Sequence, residues 1–205
     1  MDLRVCQQCG SAFTPRREHA RFCSARCRVT WNRENAGSVS VDRGPLGWAV
    51  VAMGEVVARL GRLRPKDQVQ ALTVISEAVW WVTIVDATLV RYHPDVYDAA
   101  LSSRPDRDVV EGTLTGLRFV RNQLGYHADP ADFVEPVPGR AATGWRWRTA
   151  ACPALDTLSP RGQEWEASRY KAYEDRLADH TVGDTFRSTA AFLTAASASV
   201  PPAAE

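Results

Sequence analysis

From Pro45 onward, apolar side chains return every three or four residues, the spacing of one helical face. Leu46, Val50, Met53, Val57 and Leu60 make the first stripe; Pro45 suits its opening turn and Gly61 ends it. Arg64-Pro65 introduces the longest element, read from about Lys66 to Tyr92 and lined by Val69, Leu72, Ile75, Val79, Val82 and Leu89. Its segment AVWWVTIVDATLV is apolar on most sides and rich in β-branched residues. Length and the neighbouring periodicity still favour a central bundle helix over a strand. Asp86 lies inside it, and a buried carboxylate needs a partner; Arg118 and Arg121 are the candidates. A short helical turn follows from Pro94 to Ala99. The next helix is read from Asp106 to His127, with Val110, Leu114, Leu117, Arg121 and Leu124 on one face, and Ala128-Asp129-Pro130 stops it.

The pattern then breaks. Asp129 to Pro160 contains five prolines and reads as a long irregular crossover, a kind of loop that is uncommon without a role. Within it Trp145-Arg146-Trp147-Arg148-Thr149 alternates as a short strand would, with both Trp facing inward. Such an arm either shapes the end of the preceding helix or seals the core. Pro160 opens another helix to about Asp179 carrying Trp165, Tyr170, Tyr173 and Leu177. Thr181 caps the last helix, with Asp184 three residues on as in a capping box, and Phe186, Ala190 and Leu193 form its stripe. His93 and His180 flank helix ends without companions that suggest chemistry. Residues 198–205 read as a disordered tail.

Residues 1–34 follow a different logic. Cys6-Gln7-Gln8-Cys9 and Cys23-Ser24-Ala25-Arg26-Cys27 form two close pairs separated by thirteen residues. Four thiolates so spaced can surround a zinc ion tetrahedrally. About thirty residues cannot bury a stable core, so the metal would supply much of the folding free energy and is structural. Gly10 suits a tight turn after the first pair, and Phe13 and Phe22 offer a little apolar packing. His19 is a substitute ligand by chemistry, but four Cys already suffice. Cys152 stands apart, before Pro153, and reads as unliganded. The string CxxCGxxF…RFCSxxCR resembles small treble-clef-like zinc fingers, a group whose functions vary. Seven Arg (4, 16, 17, 21, 26, 28 and 33) stand here against Asp2, Glu18 and Glu34. With Phe22 and Trp31 they could contact a nucleic-acid backbone and stack a base, or simply solvate a tiny domain. Residues 35–44 read as a linker of small and polar side chains.

Composition narrows this only slightly. The 205 residues are 45% apolar and 24% charged, with a formal charge of +1, so no global nucleic-acid signature exists and any backbone affinity is local. The best apolar run, Ala78 to Val90, is too short to span a membrane and contains Asp86. No apolar signal segment opens the chain, and four of five Cys suit metal in a reducing compartment. A cytoplasmic location is therefore expected. The GxxxxGK[ST], HExxH, GxSxG and GxGxxG patterns are all missing, which removes the common nucleotide, zinc-protease, hydrolase and dinucleotide readings.

One cluster remains. Arg121, Asn122 and His127 gather a cation, an amide and an imidazole where an amphipathic helix ends. A purely structural reading has Arg121 paired with Asp86 and His127 capping the helix. The stretch Arg121-Asn122-Gln123-Leu124-Gly125-Tyr126-His127 also resembles the signature of HEPN domains: an Arg, four to six residues, then a His, often with a polar residue after the Arg. The likeness spans about Pro45 to Ser197. It implies an all-helical domain of 45–197, a homodimer, and metal-independent cleavage of RNA, with His127 as acid or base, Arg121 on the scissile phosphate and Asn122 as an orienting amide. Tyr126 and Arg118 are weaker candidates for stacking and backbone contact. Arg121 and His127 lie about 120° apart around an ideal helix and about 9 Å along it, so they meet only through a bend near Gly125 or across a dimer. Such nucleases often act as toxins or phage-defence effectors, with a neutralising partner. The fold class expected is all-α, a bundle of four to five helices behind a zinc knuckle. The competing function is a non-catalytic binding module, in which the knuckle contacts nucleic acid or protein and the helical domain dimerises.

Overall fold

The computed structural model describes residues 3–15, 20–35, 45–64, 67–125, 129–137, 144–149 and 158–201. The chain divides into two compact units, Met1–Gly44 and Pro45–Glu205.

The first unit is a hairpin and a helix. Strands β1 (Arg4–Val5) and β2 (Ala12–Phe13) pair antiparallel, with Arg4 opposite Phe13 and Val5 opposite Ala12. The turn between them carries Cys6 and Cys9. Gly10 closes it at φ 70°, a left-handed conformation that a side chain disfavours, and donates its N–H to the Cys6 carbonyl at 2.9 Å. Helix α1 spans Ala25–Asn35. Ser24 precedes it, and its hydroxyl accepts the Cys27 N–H at 3.1 Å, an N-cap that places Cys23 just before the first turn and Cys27 within it. This helix was not expected, and Asn35, read as the first linker residue, is its last. Residues 36–44, His19, Cys152 and Tyr126 lie outside the described residues.

The second unit holds six helices: α2 (Pro45–Leu60), α3 (Gln68–Tyr92), α4 (Pro94–Ser102), α5 (Arg107–Gly125), α6 (Pro160–Arg176) and α7 (Val182–Ala198). Seven helices among the described residues exceed the four or five expected, because α1 went unread and the turn after Pro94 is a full nine-residue helix. Helix α3 is central, packing on α2, α5 and α7. Its β-branched content does not break it. Thr83 is buried, and its hydroxyl returns to the Val79 carbonyl four residues back at 2.8 Å. Val69, read as lining this helix, is 81% exposed. The run judged too short for a membrane belongs to a 25-residue helix that, by length and composition alone, could cross one; half of its apolar window is buried in the bundle.

Helices α5 and α6 run antiparallel and close together. A methyl placed on Gly116 would sit 2.7 Å from Leu177 Cδ1 and 3.1 Å from Tyr173 Cα, and one on Gly112 would meet the Arg176 side chain. The crossover holds a 3₁₀ turn at Pro130–Asp132 and a second hairpin, β3 (Val134–Pro136) paired antiparallel with β4 (Trp145–Trp147). Both Trp of β4 face inward. Trp147 is fully buried against Tyr173 and Phe186, and its indole donates to Thr185 Oγ1 at 3.0 Å, so this arm seals the core. Thr181 caps α7 as read, accepting the Asp184 N–H. The helix runs to Ala198, one residue into the expected tail, and Val200 still packs on the core.

Candidate functional site

The hairpin turn and the start of α1 bring Cys6, Cys9, Cys23 and Cys27 together, with their four sulfurs all within 4.8 Å of one another. Cys9 Sγ lies 3.6 Å from Cys23 Sγ, which lies 3.5 Å from Cys27 Sγ. A disulfide needs about 2.05 Å, whereas tetrahedral zinc with bonds of about 2.3 Å holds its sulfurs about 3.8 Å apart. The donor set and spacing fit that ion, which these four side chains would hold closed on all sides, as in a structural site.

Two of these thiols are shifted toward the thiolate and one away from it. Burial pushes the Cys6 thiol up, but backbone N–H groups of Cys23, Cys9 and Gln8 outweigh it and bring the group down to about 6; Cys23 N–H approaches at 3.4 Å. The Ser11 hydroxyl and N–H lower Cys9. Cys23 is pushed up to about 12 by the crowded thiols of Cys27, Cys9 and Cys6. A divalent cation at this point would offset the charge of thiolates this close together. Beside them, the Arg21 guanidinium lies 5.7 Å from the Phe22 ring centroid and 5.1 Å from that of Trp31, and donates to Gln7 Oε1 at 2.7 Å. Arg4, Arg21, Arg26 and Arg28 are all exposed.

In the helical unit, the end of α5 turns Arg121 and Asn122, two of the residues that the sequence grouped, toward different helices. Asp86, fully buried, takes Arg118 and not Arg121: Arg118 Nε donates to Oδ2 at 2.7 Å and Nη2 to Oδ1 at 2.9 Å, while the Tyr97 hydroxyl donates to Oδ1 at 3.0 Å. Burial and the adjoining carboxylate push the Tyr97 hydroxyl up, keeping it a donor. The carboxylate spends both oxygens on this set, so Arg118, its side chain 31% exposed, is the counter-ion of the buried Asp86. Arg121 turns instead toward α3, its guanidinium 5.2 Å from the half-exposed Trp80 ring. Asn122 points to α6, with Nδ2 3.5 Å from Glu166 Oε2; Gln123 Nε2 donates to Oε1 of the same carboxylate at 2.8 Å, and Arg169 lies 3.7 Å from it. His127 lies outside the described residues, so only Arg121 and Asn122 of that trio are placed. They diverge, one to α3 and one to α6.

Glu166, only 9% exposed, is the polar residue that sequence reading missed. Its signal was present: Glu166, Tyr170, Tyr173 and Leu177 recur at helical spacing on α6, so a carboxylate occupies an apolar register. Comparison with family models, curated proteins and solved structures finds no match for this chain.

Proposed function

We propose that this chain is a zinc-stabilised binding protein whose N-terminal knuckle contacts the backbone of single-stranded nucleic acid, with the helical unit as a dimerising body. The clustering of the four Cys sulfurs carries the reading. An ion there would fold a unit too small to hold itself together and fix the Arg-rich surface around it. The Arg21, Phe22 and Trp31 group supports nucleic acid, since a cation beside two aromatic faces suits a phosphate next to an unstacked base. The test is fluorescence anisotropy with mixed-sequence RNA and DNA oligomers over a salt series. Wild type should bind more weakly as salt rises, and Arg21→Ala should flatten the log–log slope by about 0.7, one phosphate contact on a single strand. Zinc-loaded wild type that binds neither oligomer at low salt would move the reading to a protein partner, for which exposed Leu3 and Val5 offer apolar contact.

A second reading rests on Arg121. Asp86 is satisfied by Arg118, which leaves the Arg121 cation at the end of α5 for another partner. In that reading the helical unit is a HEPN-type endoribonuclease. His127 takes the proton from a ribose 2′-OH, and the 2′-oxygen attacks phosphorus. The P–O5′ bond breaks, and the leaving oxygen gains a proton. The products are a 2′,3′-cyclic phosphate and a 5′-hydroxyl, so DNA resists. Arg121 stabilises charge on the phosphate, and Asn122 would have to leave Glu166 to assist. With EDTA present, His127→Ala and Arg121→Ala should each lose about a hundredfold in rate; equal cleavage by all three proteins would mean contamination or another site.

A further inference from the structure

Helix α3 packs on α2, α5 and α7, and its outward face should be polar if it meets only water. It is not. Between Glu77 and Arg91 that face carries Trp80, Trp81, Ile84, Ala87 and Thr88. On an ideal helix these positions, with the two charged ends, fall within about 120° of arc and about 21 Å of length. Trp80 is 41% exposed and Ile84 38%. Ala87 and Arg91 are exposed, and Trp81 and Thr88 are half-buried. The strip continues onto α2, where the exposed Trp48 meets Trp81 edge to face, with 5.1 Å between ring centroids. Val51, one turn along α2, is exposed as well. A contiguous apolar patch of this kind marks a contact face.

The order of residues along the strip is self-complementary. Counted from Ile84, Glu77 and Arg91 lie seven residues to either side, Trp80 and Thr88 four, and Trp81 and Ala87 three. Two copies of α3 laid antiparallel about a two-fold axis at Ile84 put that residue on its own counterpart. Residues on the same side of the strip then meet across the axis. Trp80 meets Ala87 of the partner subunit, Trp81 meets Thr88 of the partner subunit, and Glu77 meets Arg91 of the partner subunit. Each indole lies over a small side chain, and each end closes on opposite charges. A parallel pairing would bring like charges together at both ends and crowd all four indoles at one. Arg91 is available for the pairing: its guanidinium lies 5.4 Å from the Tyr92 ring and reaches no carboxylate among the described residues. Glu77 pairs with Arg59 of α2, yet its side chain stays 41% exposed, and a carboxylate accepts from more than one donor.

We propose that this strip is the dimer face: two copies of the chain join antiparallel along Glu77 to Arg91 of α3, flanked by Trp48 and Val51 of α2. The proposal rests on the dimerising body of the reading above and gives it a face and a register. Two helix widths of about 10 Å over about 21 Å of length come to roughly 400 Å² per partner. That is small for a specific interface, so the dimer is reversible, with a dissociation constant in the micromolar range.

The test is sedimentation velocity of the purified full chain from about 1 to about 300 µM, a range that brackets such a constant. The mean mass should rise from one chain to two. Ile84→Glu sets two carboxylates on the axis, and Ala87→Trp leaves no room opposite Trp80. Each should raise the midpoint about tenfold or more, with the helical circular dichroism unchanged because both positions are exposed. Glu77→Arg and Arg91→Glu should each weaken the dimer about fivefold when alone. Mixing those two variants should restore most of the affinity, because each chain then meets the opposite charge at both ends. A wild-type chain that stays monomeric up to about 300 µM would overturn both the face and the dimerising body. A dimer whose midpoint is unmoved by Ile84→Glu and Ala87→Trp would overturn the face and leave the dimerising body standing. Charge variants that mixing does not rescue would overturn the antiparallel register.

Discussion

Asp86 is a carboxylate in the middle of an apolar helix, and it persists there because three donated hydrogen bonds meet it. Two come from the Arg118 fork and one from Tyr97. Charge-assisted bidentate bonds of this kind offset the desolvation that burial imposes. Removing one partner is the costly change. Arg118→Ala should destabilise the helical unit by about 3 kcal/mol or more, because a buried charge is left without its counter-ion. The pair Asp86→Leu with Arg118→Met should recover most of that loss, since a well-packed apolar pair avoids the desolvation penalty. Urea unfolding reads both; a loss below about 0.5 kcal/mol for Arg118→Ala, the range of ordinary surface changes, would mean that the ion pair does not form. That Asp86 needed a partner was legible in its neighbours. Which arginine answered was not, because Arg118 and Arg121 are one turn apart on α5 and only the packing of α5 against α3 selects between them.

At the level of elements, two glycines make opposite predictions. Gly116 faces α6 with no space for a methyl, and the Tyr173 backbone cannot withdraw as a side-chain tip could. Gly116→Ala gains about 1 kcal/mol of helix propensity but incurs overpacking of about 1–3 kcal/mol, so a net loss is expected. Gly54 in α2 is exposed, with nothing near an added methyl, and Gly54→Ala should stabilise by about 0.5–1 kcal/mol. Thermal unfolding of the two variants should move in opposite directions; a stabilised Gly116→Ala would contradict the close α5–α6 contact. The periodic helices were readable because each has one apolar stripe. Strand β3 was not, since three residues ending in Pro136 carry no alternation long enough to detect. Helix α1 escaped for a different reason: ARCRVTWNREN is polar on most sides, and its start is set by the Ser24 cap and the thiol cluster instead of by a core.

For the whole molecule, the two units draw stability from different sources. The helical unit buries a continuous core that includes Trp147, Tyr173, Phe119 and Phe186. The knuckle has no comparable core; Cys6 is its only buried apolar residue among those described. The Cys cluster was legible because two Cys pairs at short spacing state a candidate coordination set directly. The Arg121–Asn122–His127 grouping was less so, because a helix end does not specify which neighbour each side chain turns to: Arg121 turns to Trp80 and Asn122 to Glu166. The knuckle reading therefore stands or falls on the metal. The direct measurement is zinc per chain in freshly purified wild type and in Cys9→Ser, at matched protein concentration. One zinc per wild-type chain and its loss in Cys9→Ser is the expected result. Less than about half an equivalent in wild type, or full retention by Cys9→Ser, would contradict a folded unit held by four thiolates.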